Sequence, residues 1–489
     1  MSSTDSILAF TAADAGLGAP YSLTECIAAL DRGATTSVEL VAQALARIDA
    51  TQSTLNAFRV VCAESARQAA TEADRRRAAG EHLPLLGVPV AVKDDMDVAG
   101  EPTAFGCPGP FPLKQHDSEM VRRLRAAGAV IVGKANAPEV GLYPFTEGSA
   151  FGATRNPWHL DHTPGGSSGG GAAAVAAGIV PAAVGSDGAG SVRIPAAWCG
   201  LVGVKPQRGR ISTWPDAESF NGLSCFGPLT RTVADAALLL DVLSGPHPGD
   251  LHTPPAPSEA FALAATRDPG RLRIALSLRA PFSGAPVRLD PEIRAAAERI
   301  GRVLRDLGHE VIEANPRYGL MGLALVARGQ AGVGSWVRGV PDRSLLDART
   351  RGAARVGALF AHTVLPVARR AEPWLQRRVG AIFDRVDVVI TPTSAGPPLR
   401  IGAAEGLSSW ATDQLIAGSC PYAWPWNVLG WPGVNVPAGL NRKGLPLGVQ
   451  LLGSANTEAT LLSLAAQLER VERWHERVPP FTLDTPISQ

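Results

Sequence analysis

A serine hydroxyl attacks a carbonyl well only when a base takes its proton. In this chain serines gather in a glycine-rich stretch, residues 162–191 (HTPGGSSGGGAAAVAAGIVPAAVGSDGAGS), as Ser167–Ser168 near one end and Ser191 at the other. Glycine has no Cβ, permits positive φ and lets backbone N–H groups approach a ligand closely. Gly188-Ala189-Gly190-Ser191 therefore reads as a turn whose N–H groups point into one concavity, a setting that holds a developing oxyanion. The nine histidines are scattered and offer no familiar triad. Lysine can act as the base if it is neutral, which means lowering its pKa from about 10.4. Burial does this, because desolvation disfavours the charged form. The chain has only five lysines. Lys114 and Lys443 sit in polar loops, whereas Lys93, Lys134 and Lys205 each follow an apolar strand pattern, so composition leaves these three open.

Gly165-Gly166-Ser167-Ser168-Gly169 also matches the G-x-S-x-G elbow of α/β-hydrolases, but that motif needs a hydrophobic strand before it, and here WHLDHTP precedes it. No GK[ST] follows, which argues against a phosphate-binding loop. His159 and His162 lie in that same loop with no third ligand in view, so no metal is expected, and no cofactor is called for.

The run GGSSGG, followed by GSDGAGSVRIPAAWCG, resembles the amidase signature family of serine hydrolases. That family uses a Ser–cis-Ser–Lys triad. Matched residue by residue, the resemblance implies Ser191 as nucleophile and Ser167 as the bridging serine after a cis peptide. It implies Lys93, in GVPVAVKD, as the base, and the backbone of Gly188, Ala189, Gly190 and Ser191 as the oxyanion site. The family usually carries Asp-Thr-Gly-Gly-Ser where this chain has Asp187-Gly188-Ala189-Gly190-Ser191, a change that leaves backbone donors in place. Asp94 follows Lys93, but neighbouring side chains of a strand point to opposite faces, so Asp94 is expected to face away. Ser168 reads as structural, and Asp187 and Arg193 as anchors of the glycine turn.

Elements must position these groups. Ser22-Leu23-Thr24-Glu25 reads as a capped helix start, and helical patterns continue to residue 80. Residues 86–93 read as a strand, 117–127 as a helix and 129–133 as a strand, an order that points to parallel pairing with crossover connections. Residues 171–178 suit a buried helix of small side chains. Further strands are expected at 201–204, 273–276 and 386–393, and helices through Leu243, over 290–307 and over 457–471, while 427–437 and 448–453 resemble the family's closing strands. The fold class is α/β. The resemblance, which covers about residues 20–480, implies a mixed, mainly parallel central sheet covered by helices. Four stretches are distinguished: an N-terminal helical layer (1–80), the catalytic core (81–245), a variable, mainly helical, arginine-rich substrate region (246–385), and C-terminal strands and a helix (386–489) that complete the same domain.

The net charge of +1 and 45% hydrophobic content suggest no nucleic-acid or membrane partner. The six cysteines form no CxxC pair and read as buried thiols, in keeping with a reducing cytoplasm. The start MSSTDSILAF has no basic n-region, so no secretory signal is expected. The expected partner is a small amide or carbamate substrate, with the chain a monomer or homodimer. Leu142 and Tyr143 are expected to touch that substrate. Leu142-Tyr143-Pro144-Phe145 stands where the glutamine-hydrolysing component of glutaminyl-tRNA amidotransferase resembles Met-Gly-Ser-Ser, and Ile194 stands where that component has glutamine. Both point to a free-standing amidase for a hydrophobic or aromatic amide, anilide, carbamate or ester. The alternative is an amidotransferase component of the same type, which releases ammonia from glutamine for a partner complex. Trp410, Tyr422, Trp424, Trp426 and Trp431 suit either core or an apolar substrate pocket.

Overall fold

The computed structural model describes residues 22–282 and 284–481. The N-terminal stretch read above for a signal lies outside them. Described residues begin at a capping box: Ser22 accepts from the Glu25 N–H, and the Glu25 carboxylate accepts from the Ser22 N–H.

The strands are β1 Phe58–Val61, β2 Pro89–Lys93, β3 Val130–Ala135, β4 Glu147–Gly148, β5 Gly152–Ala153, β6 Ala182–Asp187, β7 Val202–Lys205, β8 Cys225–Thr230, β9 Arg273–Leu276, β10 Glu310–Glu313, β11 Val388–Pro392, β12 Gly433–Leu440 and β13 Pro446–Leu452. β4 and β5 pair only with each other; the rest form one sheet in the order β1-β3-β2-β6-β8-β7-β12-β13-β11-β9-β10. The sheet is mixed and helix-covered. Its parallel pairing lies in two triplets, β3–β2–β6 and β11–β9–β10. The strands between them, and β1 at the edge, pair antiparallel. Strands from all four stretches of the chain share this one sheet.

β2 is buried throughout, and its side chains alternate as a strand must. Val90 and Val92 join one core with the helices Glu119–Ala126, Val233–Leu243, Pro291–Asp306 and Glu458–Glu472. Ala91 turns to the other core, against the helices Ser37–Leu55, Ala63–Ala78 and Gly169–Ala176. Gly169–Ala176 comes so close that a Cβ on Gly170 would lie 2.4 Å from the Asn136 nitrogen. Small residues are what seat this helix against the sheet.

Beyond the sheet, Gly322–Val337 and Ala348–His362 pack backbone to backbone: a Cβ at Gly357 would stand 1.8 Å from the Gln330 carbonyl oxygen. With Ser409–Ser419, these helices form an outer layer facing the carboxyl end of β6. No helix among the described residues is long and apolar enough to cross a membrane.

Candidate active site

β2 delivers Lys93 at its last position. The Lys93 side chain is 2% exposed, and Nζ donates to Ser167 Oγ at 2.7 Å and to Ser186 Oγ at 2.8 Å. The Ser186 hydroxyl in turn donates to Asp95 in a very short contact, and Asp95 Oδ2 lies 3.7 Å from the amine. Burial pulls the Lys93 pKa down from the usual lysine range, and the charges of Asp95 and Asp187 work against it. Asp94 turns away, as alternation predicts, and pairs with Lys134 at 3.2 Å. The other two buried lysines serve elsewhere: Lys134 also donates to Thr103 Oγ1, and Lys205 to the Pro206 carbonyl.

Ser167 follows a cis peptide, Gly166–Ser167. Gly166 is pressed against the next segment, where a Cβ would meet the Tyr143 carbonyl oxygen at 2.5 Å. Ser168 is a structural bolt: its hydroxyl donates to the Ser186 carbonyl and its N–H to the Ser191 carbonyl. The Ser191 hydroxyl has no protein hydrogen-bond partner among the described residues, and it faces the same cavity as Ser167 and Ser186.

The turn before Ser191 is held by a buried ion pair. Arg193 Nε lies 3.0 Å from Asp187 Oδ2, and both side chains are fully buried. Asp187 also accepts from the backbone N–H groups of Gly190, Val192 and Arg193. Burial pushes the Asp187 pKa up, but Arg193, Lys205 and the Asn427 amide outweigh it and hold the carboxyl well below the usual range. The expected set of oxyanion donors needs one correction. The Gly190 N–H is committed to Asp187 at 2.7 Å, whereas those of Gly188, Ala189 and Ser191 donate to no protein acceptor among the described residues. Gly190 itself must be glycine, with φ at +116° and Ala423 Cβ 2.5 Å from where a Cβ would stand.

The cavity measures about 760 Å³. Leu142 and Tyr143 line it; Tyr143 stacks on Phe145 at 4.9 Å, and the Arg349 guanidinium covers its ring at 5.1 Å. The aromatic cluster divides. Trp410 and Trp424 line the cavity, whereas Tyr422, Trp426 and Trp431 belong to the interior, with the Trp426 indole donating to the Gly453 carbonyl. Sequence reasoning misses Ser186 and Asp95. Ser186 precedes Asp187 in β6, so the two side chains part to opposite faces, but the sequence alone does not reveal that strand.

The amidase family profile matches residues 39–462. AmiA2 of Mycobacterium tuberculosis, a protein named as an amidase, is 55% identical over 460 residues, covering 94% of each chain. The A-type component of the glutamyl-tRNA(Gln) amidotransferase of a Roseiflexus species is 37% identical over 494 residues, covering 94% of this chain and 98% of its own. The crystal structure of a bacterial aryl acylamidase of the amidase signature enzymes superposes with a TM-score of 0.82 at 27% identity, covering 93% of this chain and 97% of that one. With its family profile, close relatives and whole-chain superposition in agreement, this protein belongs to the amidase signature family of amide hydrolases.

Proposed function

We propose that the chain hydrolyses small hydrophobic or aromatic carboxamides and anilides through a Ser191–Ser167–Lys93 relay. The observation that carries the reading is a fully buried amine 2.7 Å from the Ser167 hydroxyl, in a cavity that also holds an unengaged Ser191 hydroxyl. Neutral Lys93 takes the Ser167 proton as Ser167 takes that of Ser191, and Ser191 Oγ forms a bond to the amide carbon. The oxyanion accepts hydrogen bonds from the N–H groups of Gly188, Ala189 and Ser191, which are preorganised by the Asp187–Arg193 pair. As the C–N bond breaks, the proton returns through Ser167 to the leaving amine. Water then repeats the sequence on the acyl-enzyme and releases the acid.

Substrate class follows from the walls. Phe105, Leu142, Val326, Val333, Trp410 and Trp424 make most of the lining apolar, which suits an aryl or alkyl body. The aryl acylamidase named above supports the same choice. Carbamates and esters present the same carbonyl to Ser191 and are expected as secondary substrates. The 37% identical amidotransferase component sustains a second reading, ammonia release from glutamine. One assay separates them: the purified chain, without partner or ATP, should release aniline from simple acyl anilides and leave glutamine intact. Ser191→Ala protein that kept near-full anilide hydrolysis would end the proposal.

A further inference from the structure

The Gly322–Val337 helix presents Val326, Gly329, Gln330 and Val333 to the cavity, the i, i+3, i+4 and i+7 positions of one face. Three of them suit an apolar wall. Gln330 does not. Its carboxamide oxygen is shielded from solvent and has no hydrogen-bond partner among the described residues. A buried acceptor left unmade is costly, and a ligand donor that meets it recovers that cost.

Its position says what the use would be. A Cβ built on Gly329, next to it, would stand 3.9 Å from Leu223 Cδ1, and one built on Gly188 would stand 3.8 Å from Ser224 Cβ, so the adjacent residues Leu223 and Ser224 link the wall beside Gln330 to the oxyanion turn. On its other side Val333 packs with Phe105 and Val140. Arg349, a charged residue of the same lining, is already engaged by Asp347 and Thr412. Resting on the amide-hydrolase reading, we propose that Gln330 is a specificity-determining residue that accepts a hydrogen bond from the substrate. The preferred substrate is then an amide whose apolar body carries an N–H or O–H donor a few bonds from the scissile carbonyl, rather than a plain hydrocarbon amide.

A pair of uncleavable ligands tests this: the benzyl ketones of N-phenylglycine and N-methyl-N-phenylglycine, which replace the anilide nitrogen by CH₂, contain no amide bond and differ by one N–H. Their dissociation constants are measured by calorimetry on the wild-type chain, Gln330→Leu and Gln330→Met. Wild type should hold the N–H ligand roughly tenfold more tightly. Both variants should lose that preference by weakening the N–H ligand alone, a difference of differences that cancels the bulk of the N-methyl group. An unchanged preference in a folded variant, or no preference or no binding in wild type, overturns the proposal. Because neither ligand can be hydrolysed, failure of the amide-hydrolase reading shows separately, as absent anilide hydrolysis or activity retained by Ser191→Ala.

Discussion

The two walls of the cavity are built on opposite principles. The inner wall, where β2 and β6 end, is densely hydrogen-bonded: Asp187 alone satisfies three backbone N–H groups, Arg193 and Asn427. The outer wall, made by the Gly322–Val337, Ala348–His362 and Ser409–Ser419 helices, is apolar yet partly open to water, with Leu323 and Trp410 about two-thirds exposed. Large exposed apolar side chains around one opening mark a surface meant to be covered by a ligand. The result is a division of labour. On the proposed reading, hydrogen bonding positions the reacting atoms, and adaptable apolar surface meets the rest of the substrate.

That division can be broken experimentally, most severely at the inner wall. Ser191→Ala should lower kcat/KM for an acyl anilide by about 10⁴-fold or more, read in a steady-state assay. Asp187→Ala strands the Arg193 charge in a fully buried site and should cost about 3–5 kcal/mol of stability in urea denaturation. If that variant is as stable as wild type, the inner wall is not held as described.

Asp95→Asn sharpens the comparison through pH. The Asp95 charge favours protonated Lys93 and so raises its pKa against the effect of burial. Removing it lowers that pKa, and neutral amine persists to lower pH. The acid limb of the kcat/KM profile should therefore move to lower pH; a limb that stays put or moves up argues that Lys93 is not the base. The smallest effect belongs to the outer wall. Trp410→Ala should raise KM about two- to fivefold with kcat unchanged and stability within about 0.5 kcal/mol, checked by kinetics and melting curves.

Legibility in the sequence follows the same divide. Ser167 and Ser191 stand out because their glycine-rich surroundings are restrictive, whereas an apolar strand pattern leaves Lys93 open beside Lys134 and Lys205 and only the family resemblance in GVPVAVKD selects it; the strand β9 is placed to the residue because Ile274-Ala275-Leu276 is a short apolar run. β6 is not evident: Ala182-Ala183-Val184-Gly185-Ser186-Asp187 has little β propensity of its own, and becomes a strand because β2 and β8 lie on either side. Without β6, Ser186 stays hidden too. Gln330 and Arg349 lie where the helical pattern is weakest. A helix lining a cavity shows apolar side chains on two faces, so its period blurs.

The Arg193 guanidinium donates to the Ala423 carbonyl, Gln450 and Asn427, and Asn427 donates back to the Asp187 carbonyl. The loop that aims Ser191 is thus finished by residues more than two hundred positions downstream. A nascent chain that has emerged only to residue 420 already contains Lys93, Ser167 and Ser191 and still lacks the clamp that sets the turn before Ser191. The geometry of that turn should therefore be completed late in synthesis.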